Sequence, residues 1–264
     1  MKINLFYYSG AGNTKFIAKK INEKLLSLSH EVNMMQISAK SITNYSQQAD
    51  AYIIGFPVYD LSAPLLVQDL VNDLLKQNKP IAYFCTKAFL SVNAIKELHD
   101  ISSNKGLQTV AILDLFMPAT DALALFAKRD SKTERILKSF HSKHLDKKVR
   151  VFIDNFEKAK EISISKKRYS YFGGLIPKKA KKAFHDQYNK YIPEFYSKSD
   201  VCIQCMLCVK GCPRDNIRFE DGIKFELNCD MCLACLHHCP VDSIQLGAYT
   251  NGTVRLRKIE INDN

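Results

Sequence analysis

The stretch that decides the fold of the first half of the chain is Ile3-Asn4-Leu5-Phe6-Tyr7-Tyr8-Ser9-Gly10-Ala11-Gly12-Asn13-Thr14. The apolar run Ile3–Tyr8 predicts a buried strand, and the small residues after it predict a tight loop. A helical pattern follows, in which Ile17, Ala18 and Ile21 are spaced to lie on one face. The chain therefore opens with a strand, a loop of small residues and a helix.

The same alternation of strand and helix continues along the first half of the chain. Further apolar runs lie at Val32–Ile37, Ala51–Phe56, Ile81–Cys85 and Val110–Phe116. Helical patterns lie near Lys15–Leu28, Leu65–Lys76 and Val92–Ser103. Continuous apolar strands separated by helices predict a parallel sheet that is covered on both faces. We therefore expect a doubly wound α/β domain of five strands, in which a ligand binds beyond the carboxyl ends of the strands.

The first strand–helix junction has the chemistry of a phosphate site. Small residues let backbone N–H groups face an anion, and the following helix adds the positive end of its dipole. Ser9, Asn13 and Thr14 can add side-chain donors. Two rival motifs fail here, since G-x-G-x-x-G needs a glycine where Lys15 stands and a Walker A loop needs a different glycine spacing.

Eight of the nine cysteines belong to two copies of one motif, C-x2-C-x2-C-x3-C-P. The copies are Cys202-x2-Cys205-x2-Cys208-x3-Cys212-Pro213 and Cys229-x2-Cys232-x2-Cys235-x3-Cys239-Pro240. They are offset by 27 residues, and Pro213, Asp215 and Ile217 recur at the same offset as Pro240, Asp242 and Ile244. The duplication therefore covers a structural unit as well as its cysteines.

The spacing favours iron–sulfur clusters over two weaker alternatives. Disulfides need an oxidising compartment, and the N-terminus lacks the pattern of a signal peptide. Zinc sites usually take four ligands as two separated pairs, whereas each run here has three cysteines at x2 spacing and a fourth before proline. The ninth cysteine, Cys85, stands in an apolar run and is interpreted as a small buried hydrophobic residue.

Both halves of the chain resemble known families. The cysteine runs are similar to those of bacterial ferredoxins with two 4Fe–4S clusters, and Leu5-Phe6-Tyr7-x-Ser9-x-x-Gly12-x-Thr14-x3-Ala18-x2-Ile21 resembles the flavodoxin signature. The whole chain resembles the flavodoxin–ferredoxin fusion proteins of anaerobic bacteria and archaea. The resemblance implies an FMN whose phosphate is held by Ser9, Gly10, Ala11, Gly12, Asn13 and Thr14. It also implies one cluster on Cys202, Cys205, Cys208 and Cys239, and a second on Cys229, Cys232, Cys235 and Cys212.

Two further loops are expected to contact the flavin ring. The first contributes Pro57, Val58 and Tyr59, where Tyr59 either stacks on the ring or is an aromatic packed in a turn. The second contributes Thr86, Lys87, Ala88 and Phe89. This second loop lacks the glycines of its relatives, so it contacts the ring less closely or in another geometry. A lysine beside the ring would stabilise an anionic reduced flavin.

Charge divides the chain into three parts. The net charge is +11, but residues 128–198 alone contain 20 Lys and Arg against 8 Asp and Glu. This stretch reads either as a solvated face and linker, which we favour, or as a docking surface for an acidic partner, nucleic acid or an anionic membrane. No nucleic-acid motif accompanies it. We expect a flavodoxin-like FMN domain at 1–160, a basic linker at 161–197 and a small α+β two-cluster ferredoxin domain at 198–264.

The sequence predicts an electron-transfer protein whose chemistry belongs to its cofactors. Neither a hydrolase triad in its signature context nor a second nucleotide-binding motif is present. Two hypotheses remain: a carrier between a low-potential donor and a redox partner protein, and an FMN-dependent reductase of a small acceptor such as a quinone. With no apolar stretch near the roughly 20 residues of a membrane span, we expect a cytoplasmic location. His237 and His238 are expected to be exposed loop residues or donors to cluster sulfur.

Overall fold

Five parallel strands form the central sheet of the N-terminal half. The computed structural model describes residues 1–42, 48–59, 62–74, 78–88, 91, 94–158, 186 and 189–257. The strands are β1 (Lys2–Tyr7), β2 (Glu31–Gln36), β3 (Ala51–Pro57), β4 (Pro80–Lys87) and β5 (Gln108–Phe116). Their order is β2-β1-β3-β4-β5, and every neighbouring pair is parallel. This is the flavodoxin-like strand order, and the predicted five-stranded doubly wound sheet is confirmed.

Helices cover both faces of this sheet. One face is packed by α1 (Asn13–Ser27) and a helix near the end of the domain, Leu145–Glu157. The other is packed by α2 (Leu65–Asp73) and α3 (Ala94–Ser103). Because β3 and β4 are buried on both faces, they are continuous apolar runs, as such strands must be.

The chain between the sheet and the cysteines contains more structure than the sequence predicted. After β5 come α4 (Thr120–Phe126), α5 (Lys132–Lys138) and α6 (Leu145–Glu157). The helical pattern predicted over 128–156 therefore corresponds to two helices, and α4 was not predicted. Residues 159–185 and 187–188, which include most of the predicted linker, lie outside the described residues. None of the described helices is both long and apolar enough to cross a membrane.

The cysteine-rich part is a small unit of short strands and helices. Strand β6 (Phe195–Ser197) pairs with β9 (Ile244–Leu246), and β7 (Ile217–Phe219) pairs with β8 (Ile223–Phe225), both antiparallel. Two short helices, α7 (Leu207–Lys210) and α8 (Ala234–His238), lie inside the two cysteine runs. Their apolar residues and several cysteines share one core.

The 27-residue offset of the sequence recurs in the backbone. Helix α7 and strand β7 correspond to α8 and β9 at that offset. Left-handed residues recur with it as the pairs Gln204/Met231, Met206/Leu233 and Asp215/Asp242, all with φ between 51° and 60°. Left-handed backbone is uncommon outside glycine, so its repetition at matching positions shows that both copies form the same cysteine loop. The predicted structural duplication is confirmed.

The two parts of the chain contact each other at several places. The N–H of Ala39, in the loop after β2, donates to the carbonyl of Pro213 at 2.7 Å. Lys40 forms an ion pair with Asp215 at 2.8 Å. Near the end of the described chain, the N–H of Val254 donates to the carbonyl of Ala127 at 3.0 Å. Cys232 and Ala234 join the same apolar cluster as Phe6 and Tyr8 of the sheet domain.

Candidate functional site

A cavity of about 390 Å³ opens at the carboxyl ends of the parallel strands. This is where doubly wound sheets place their ligands, and the volume falls within the range of small-molecule sites. Eleven of the predicted flavin-site residues line it: Ser9, Gly10, Ala11, Asn13, Thr14, Pro57, Val58, Tyr59, Thr86, Lys87 and Ala88. Gly12 lies in the same loop without lining the cavity, and Phe89 lies outside the described residues.

The loop between β1 and α1 has the geometry of an anion site. Gly12 precedes α1 with a φ of 108°, which favours glycine, and it has no side chain with which to cap the helix. No acidic residue stands in the first turn of α1. Ser9 Oγ accepts from the N–H of Lys15 at 3.3 Å. The N–H groups of Asn13 and Thr14, at the start of α1, have no acceptor within the helix, and the positive end of its dipole lies beside the cavity.

Asn13 and Thr14 tie this loop to the neighbouring strands. Asn13 Nδ2 donates to the carbonyl of Pro118 at 2.9 Å, and the Thr14 hydroxyl lies 2.8 Å from that of Thr86. Asn13 Oδ1 is buried and has no hydrogen-bond partner among the described residues. A buried acceptor without a donor is unfavourable unless a ligand or water supplies one. This atom is a second feature of the loop that fits a polar ligand.

Tyr59 lies between the β1–α1 loop and the cysteine-rich part. Its ring is edge-to-face with that of Tyr8, with 6.2 Å between centroids. The N–H of Gly10 donates to its hydroxyl. Burial raises the pKa of Tyr59 well above its ordinary value, with further increases from Cys232 and Asp230. The phenol is therefore neutral, and its hydroxyl oxygen accepts the hydrogen bond from Gly10.

Lys87 lines the cavity, and its positive charge is paired with the carboxylate of Asp114. Its Nζ lies 2.6 Å from Asp114 Oδ2 and 3.2 Å from Ser91 Oγ, and 4.8 Å from the ring centroid of Phe116. The thiol of Cys85 donates to the other carboxylate oxygen of Asp114 at 3.3 Å. Burial, followed by the charge of Asp114, raises the pKa of Cys85 well above its ordinary value. Cys85 is fully buried, as predicted, and is an un-ionised thiol.

The loop after β5 and the second cysteine loop complete the cavity, and the sequence did not predict either. The first contributes Met117–Asp121 and the second Asp230–Leu233. Met117 ends an apolar strand and gives no chemical signal, but its place after β5 could have been anticipated, since ligands contact several strand ends in this fold. Residues 230–233 lie more than 200 positions from the β1–α1 loop, and no local pattern connects them to it.

The second cysteine loop packs closely against the β1–α1 loop. A Cβ placed on Gly10 would lie 2.3 Å from the carbonyl oxygen of Cys232 and 2.8 Å from the Tyr59 hydroxyl. The hydroxyl of Tyr8, which is fully buried, donates to Asp230 Oδ2 at 2.9 Å. Arg214 Nε lies 3.5 Å from the other oxygen of Asp230. Cys232 is thus a wall of the same cavity as the anion-site loop.

The eight motif cysteines are brought together as two groups. A small cavity is lined by Cys202, Cys205, Cys208 and Cys239. Burial raises the pKa of Cys208 to about 11, and the nearby Cys239 and Cys202 contribute. Burial likewise raises the pKa of Cys229 to about 11, with a contribution from Cys212. The fourth cysteine of each run therefore lies beside the cysteines of the other run.

The surroundings of the sulfurs fit thiolate ligands of a cluster. The N–H groups of Asn216, Met231 and Ser243 donate to Cys212, Cys229 and Cys239 at 3.2–3.3 Å. Hydrogen bonds to cluster sulfurs are one means by which proteins tune these cofactors. No group of three or more His, Cys, Asp or Glu in the described ranges is arranged to hold a single metal ion. A 4Fe–4S cubane does not require that arrangement, because its thiolates bind separate iron atoms.

His237 is a buried structural residue, so the expectation of an exposed loop residue or sulfur donor was wrong. Its Nδ1 accepts from the N–H of Leu256 at 3.1 Å. The proton is therefore on Nε2, which donates to the carbonyl of Thr120 at 3.2 Å. Burial, with smaller effects of Arg255 and His238, lowers the pKa of His237 to about 3. The neutral ring ties α8 to α4 and to the C-terminal segment.

Comparison with known proteins finds structures with a similar fold but no matching sequence family. A scan of protein-family models finds none that matches the chain, and a search of curated proteins finds no match. Flavodoxin 2 from Bacillus cereus is 19% identical, with a TM-score of 0.46 over 60% of this chain and 99% of its own. A flavodoxin from Streptococcus pneumoniae TIGR4 is 14% identical, with a TM-score of 0.45 over 60% and 99%. Rubredoxin oxygen:oxidoreductase from Desulfovibrio gigas is 16% identical, with a TM-score of 0.39 over 60% of this chain and 36% of its own.

Proposed function

We propose that this chain is an electron-transfer protein that binds one FMN and two 4Fe–4S clusters and passes electrons between them. The observation that carries the proposal is the position of Cys232. This residue belongs to the second cysteine run, and it lines the same cavity as Ser9, Gly10 and Thr14 of the anion-site loop. A flavin in that cavity would lie beside a cluster ligand, which is the proximity that electron transfer needs.

The cavity residues fit FMN in distinct ways. The first turn of α1 and Ser9 would hold the phosphate through N–H and hydroxyl groups, as helix N-termini do. The backbone at Pro57–Tyr59 and Thr86–Ala88 would contact the ring. Lys87 and Asp114 together add little net charge at that edge, since they are paired at 2.6 Å. When bound, FMN supplies the ability to carry one or two electrons, whereas a cluster carries one.

The two cysteine groups differ in their relation to the cavity. The group with Cys212, Cys229, Cys232 and Cys235 borders the flavin cavity through Cys232. The group with Cys202, Cys205, Cys208 and Cys239 includes Cys205, which is exposed. We infer that electrons enter or leave at the group that includes Cys205. They then reach the flavin through the group that includes Cys232. The division into a flavin domain, a linker and a ferredoxin domain is part of this proposal.

The test is anaerobic purification with quantitation of iron, acid-labile sulfide and flavin, followed by stepwise reduction watched by absorbance and electron paramagnetic resonance. About eight irons per chain are expected for two 4Fe–4S clusters, with one flavin reduced by electrons that the clusters deliver. Iron without flavin would remove the flavin half of the proposal. Zinc in place of iron would remove the cluster half.

Two partner classes follow from the proposal. A redox protein with an acidic surface would complement the basic residues between the sheet domain and the cysteines. A small acceptor such as a quinone would instead react at the flavin, which makes the chain a reductase. Rapid turnover of a quinone by the reduced holoprotein would support the reductase. Electron exchange limited to a protein partner, and slowed by salt, would support the carrier.

A further inference from the structure

A second cavity, of about 220 Å³, shares no lining residue with the proposed flavin cavity. It is formed between the segment after Cys239, the start of the cysteine-rich part and the C-terminal segment. Its charged lining residues are Arg129, Lys198, Asp242 and Arg255. Val201 and Val241 border it as well, so it adjoins Cys202 and Cys239 along the chain. Neither the flavin cavity nor the proposed cluster ligands account for it.

Positive charge exceeds negative charge in this cavity. Asp242 is the only carboxylate among its described lining residues. Both oxygens of that carboxylate are occupied, since Arg129 pairs with Oδ2 and Arg257 lies 2.7 Å from Oδ1. Asp242 therefore balances cations that it already contacts. Arg255 lies 3.8 Å from the same carboxylate, so Asp242 is shared by three arginines, and Lys198 is left without an acidic partner among the described residues.

Arg255 is buried with one donor unused. Only 2% of its side chain is exposed. Its terminal nitrogens donate to Thr253 Oγ1 at 2.7 Å and to the carbonyl of Thr250 at 2.9 Å. Its Nε has no hydrogen-bond partner among the described residues, and the nearest carboxylate oxygen, Asp242 Oδ1, is 3.8 Å away. A buried guanidinium N–H without an acceptor is unfavourable, so the site lacks an acceptor at this point.

Lys198 is the lining cation that has no carboxylate partner among the described residues. Its Nζ donates to the side-chain oxygen of Asn251 at 3.0 Å. None of the carboxylates in the described ranges forms an ion pair with it. The ammonium of Lys198 and the unused N–H of Arg255 thus belong to one cavity of about 220 Å³.

We propose that this cavity binds a small oxyanion, a phosphate or a carboxylate, through Lys198, Arg129 and the Nε of Arg255. Guanidinium and ammonium groups are the usual partners of both anions, and charged hydrogen bonds are the stronger class. The site is independent of the flavin proposal, because none of these residues lines the flavin cavity. It would place an anion beside the cysteine group that includes the exposed Cys205.

The test uses the holoprotein of this chain saturated with FMN, so that inorganic phosphate does not bind at the anion-site loop. Phosphate is titrated by isothermal calorimetry at constant ionic strength, with chloride as the reference anion. Lys198→Gln is expected to weaken phosphate binding about tenfold or more, since it removes a charged hydrogen bond. Lys210→Gln, an exposed lysine outside the cavity, is the matched control and should leave the affinity unchanged.

Saturable binding that falls in Lys198→Gln, returns in Lys198→Arg and is unaltered in Lys210→Gln would support the site. A second titration with succinate distinguishes a carboxylate ligand from a phosphate ligand. Absence of binding, or equal weakening by both glutamine variants, would overturn the proposal. The cations of the cavity would then serve only to balance the negative charge of the neighbouring thiolates. Iron and flavin contents are measured on the same samples, so failure of the proposed function appears separately.

Discussion

Gly10 has a role that a phosphate loop alone does not explain. It lies where the β1–α1 loop meets the second cysteine loop, and the space that a side chain would need is filled by the Cys232 carbonyl and the Tyr59 hydroxyl. One of these contacts is backbone, which cannot rotate away as a flexible side chain can. The glycine is therefore required for the close approach of two loops, and its backbone N–H is bonded to Tyr59.

Gly10→Ala is expected to destabilise the protein by about 1–3 kcal/mol, since an added methyl must displace packed backbone. The flavin and iron contents should fall together, because the substitution separates the two loops that form the cavity. Urea denaturation and cofactor quantitation measure both effects. Gly222→Ala is the control: a Cβ there meets no atom within 4 Å, so only its positive φ is strained and cofactor content should be kept. Normal cofactor content in Gly10→Ala would contradict the packing argument.

Tyr8→Phe removes a buried hydroxyl that donates to a carboxylate. The bond from Tyr8 to Asp230 is 2.9 Å long, and a bond to a charged group contributes about 1.5–3 kcal/mol. Tyr83→Phe is a matched control, because the Tyr83 hydroxyl is also buried but donates to the neutral carbonyl of Leu98 at 3.2 Å. Its loss should be about 0.5–1.5 kcal/mol. Equal shifts of the two urea midpoints would contradict a special role for the Tyr8–Asp230 bond.

At the scale of the element, the two cysteine loops have the same backbone and different surroundings. They share left-handed residues at matching positions, yet Cys205 is exposed whereas its counterpart Cys232 is buried against the sheet domain. A difference that is absent from the repeated motif must come from what each loop packs against. The second loop is thereby a wall of the cavity proposed for the flavin, and the first is not.

Cys205→Ser and Cys232→Ser are therefore expected to differ in their effect on the flavin. Both should perturb one cluster and lower the iron content. Only Cys232→Ser should also weaken flavin binding, because only that residue lines the cavity. Iron analysis and flavin fluorescence titration measure these outcomes. Cys85→Ser, in strand β4, is the control and should keep full iron. Equal loss of flavin from Cys205→Ser and Cys232→Ser would sink this assignment.

Helix α8 is held in place by His237, which bonds to two separate segments. His237→Leu would leave the carbonyl of Thr120 and the N–H of Leu256 without their partners. An unsatisfied buried group costs about 1–3 kcal/mol, so the urea midpoint should drop clearly. Iron content should stay normal, since His237 is not a cluster ligand. His141→Leu, which loses only a bond to the adjacent Ser142, is the control and should have a small effect. Loss of iron in His237→Leu alone would contradict the structural role.

At the scale of the whole molecule, the contacts that join the two parts of the chain differ in burial and therefore in their contribution to stability. Lys40 and Asp215 pair across the boundary, but three quarters of the Lys40 side chain is exposed. Tyr8, Gly10 and Tyr59 make buried contacts with Asp230 and Cys232 in the same region. Water screens the exposed pair and is excluded from the buried contacts, so the buried set joins the two parts.

Lys40→Gln is accordingly expected to leave the urea midpoint and the cofactor content unchanged. The measurement is the same denaturation series as for Tyr8→Phe, repeated at high salt. If the exposed ion pair contributed to stability, high salt would lower the urea midpoint of the parent protein but not that of Lys40→Gln. A midpoint shift as large as that of Tyr8→Phe would show that surface charge, rather than burial, joins the two parts.

Local patterns in the sequence were sufficient for the sheet and for the duplication. The apolar runs Ile3–Tyr8 and Ile81–Cys85 predict buried strands because burial on both faces requires continuous apolar residues, and β1 and β4 are found there. The cysteine spacing, repeated at 27 residues, predicts two equivalent loops because turn chemistry is local. The split of residues 128–156 into two helices and the presence of α4 were not evident, since short helices carry few periods of the pattern.

What the sequence by itself determined is the five parallel strands of the sheet and the candidate residues of the anion-site loop and cysteine runs. Only the tertiary structure decided that Cys232, rather than Cys205, lines the cavity at the strand ends, that the N–H of Gly10 donates to the Tyr59 hydroxyl, and that His237 is buried. These facts depend on how one folded unit packs against another. Tyr8 and Asp230 are 222 residues apart, and no periodicity relates residues at such a distance. Packing of two complementary surfaces sets such contacts, whereas local patterns set only the elements that carry them.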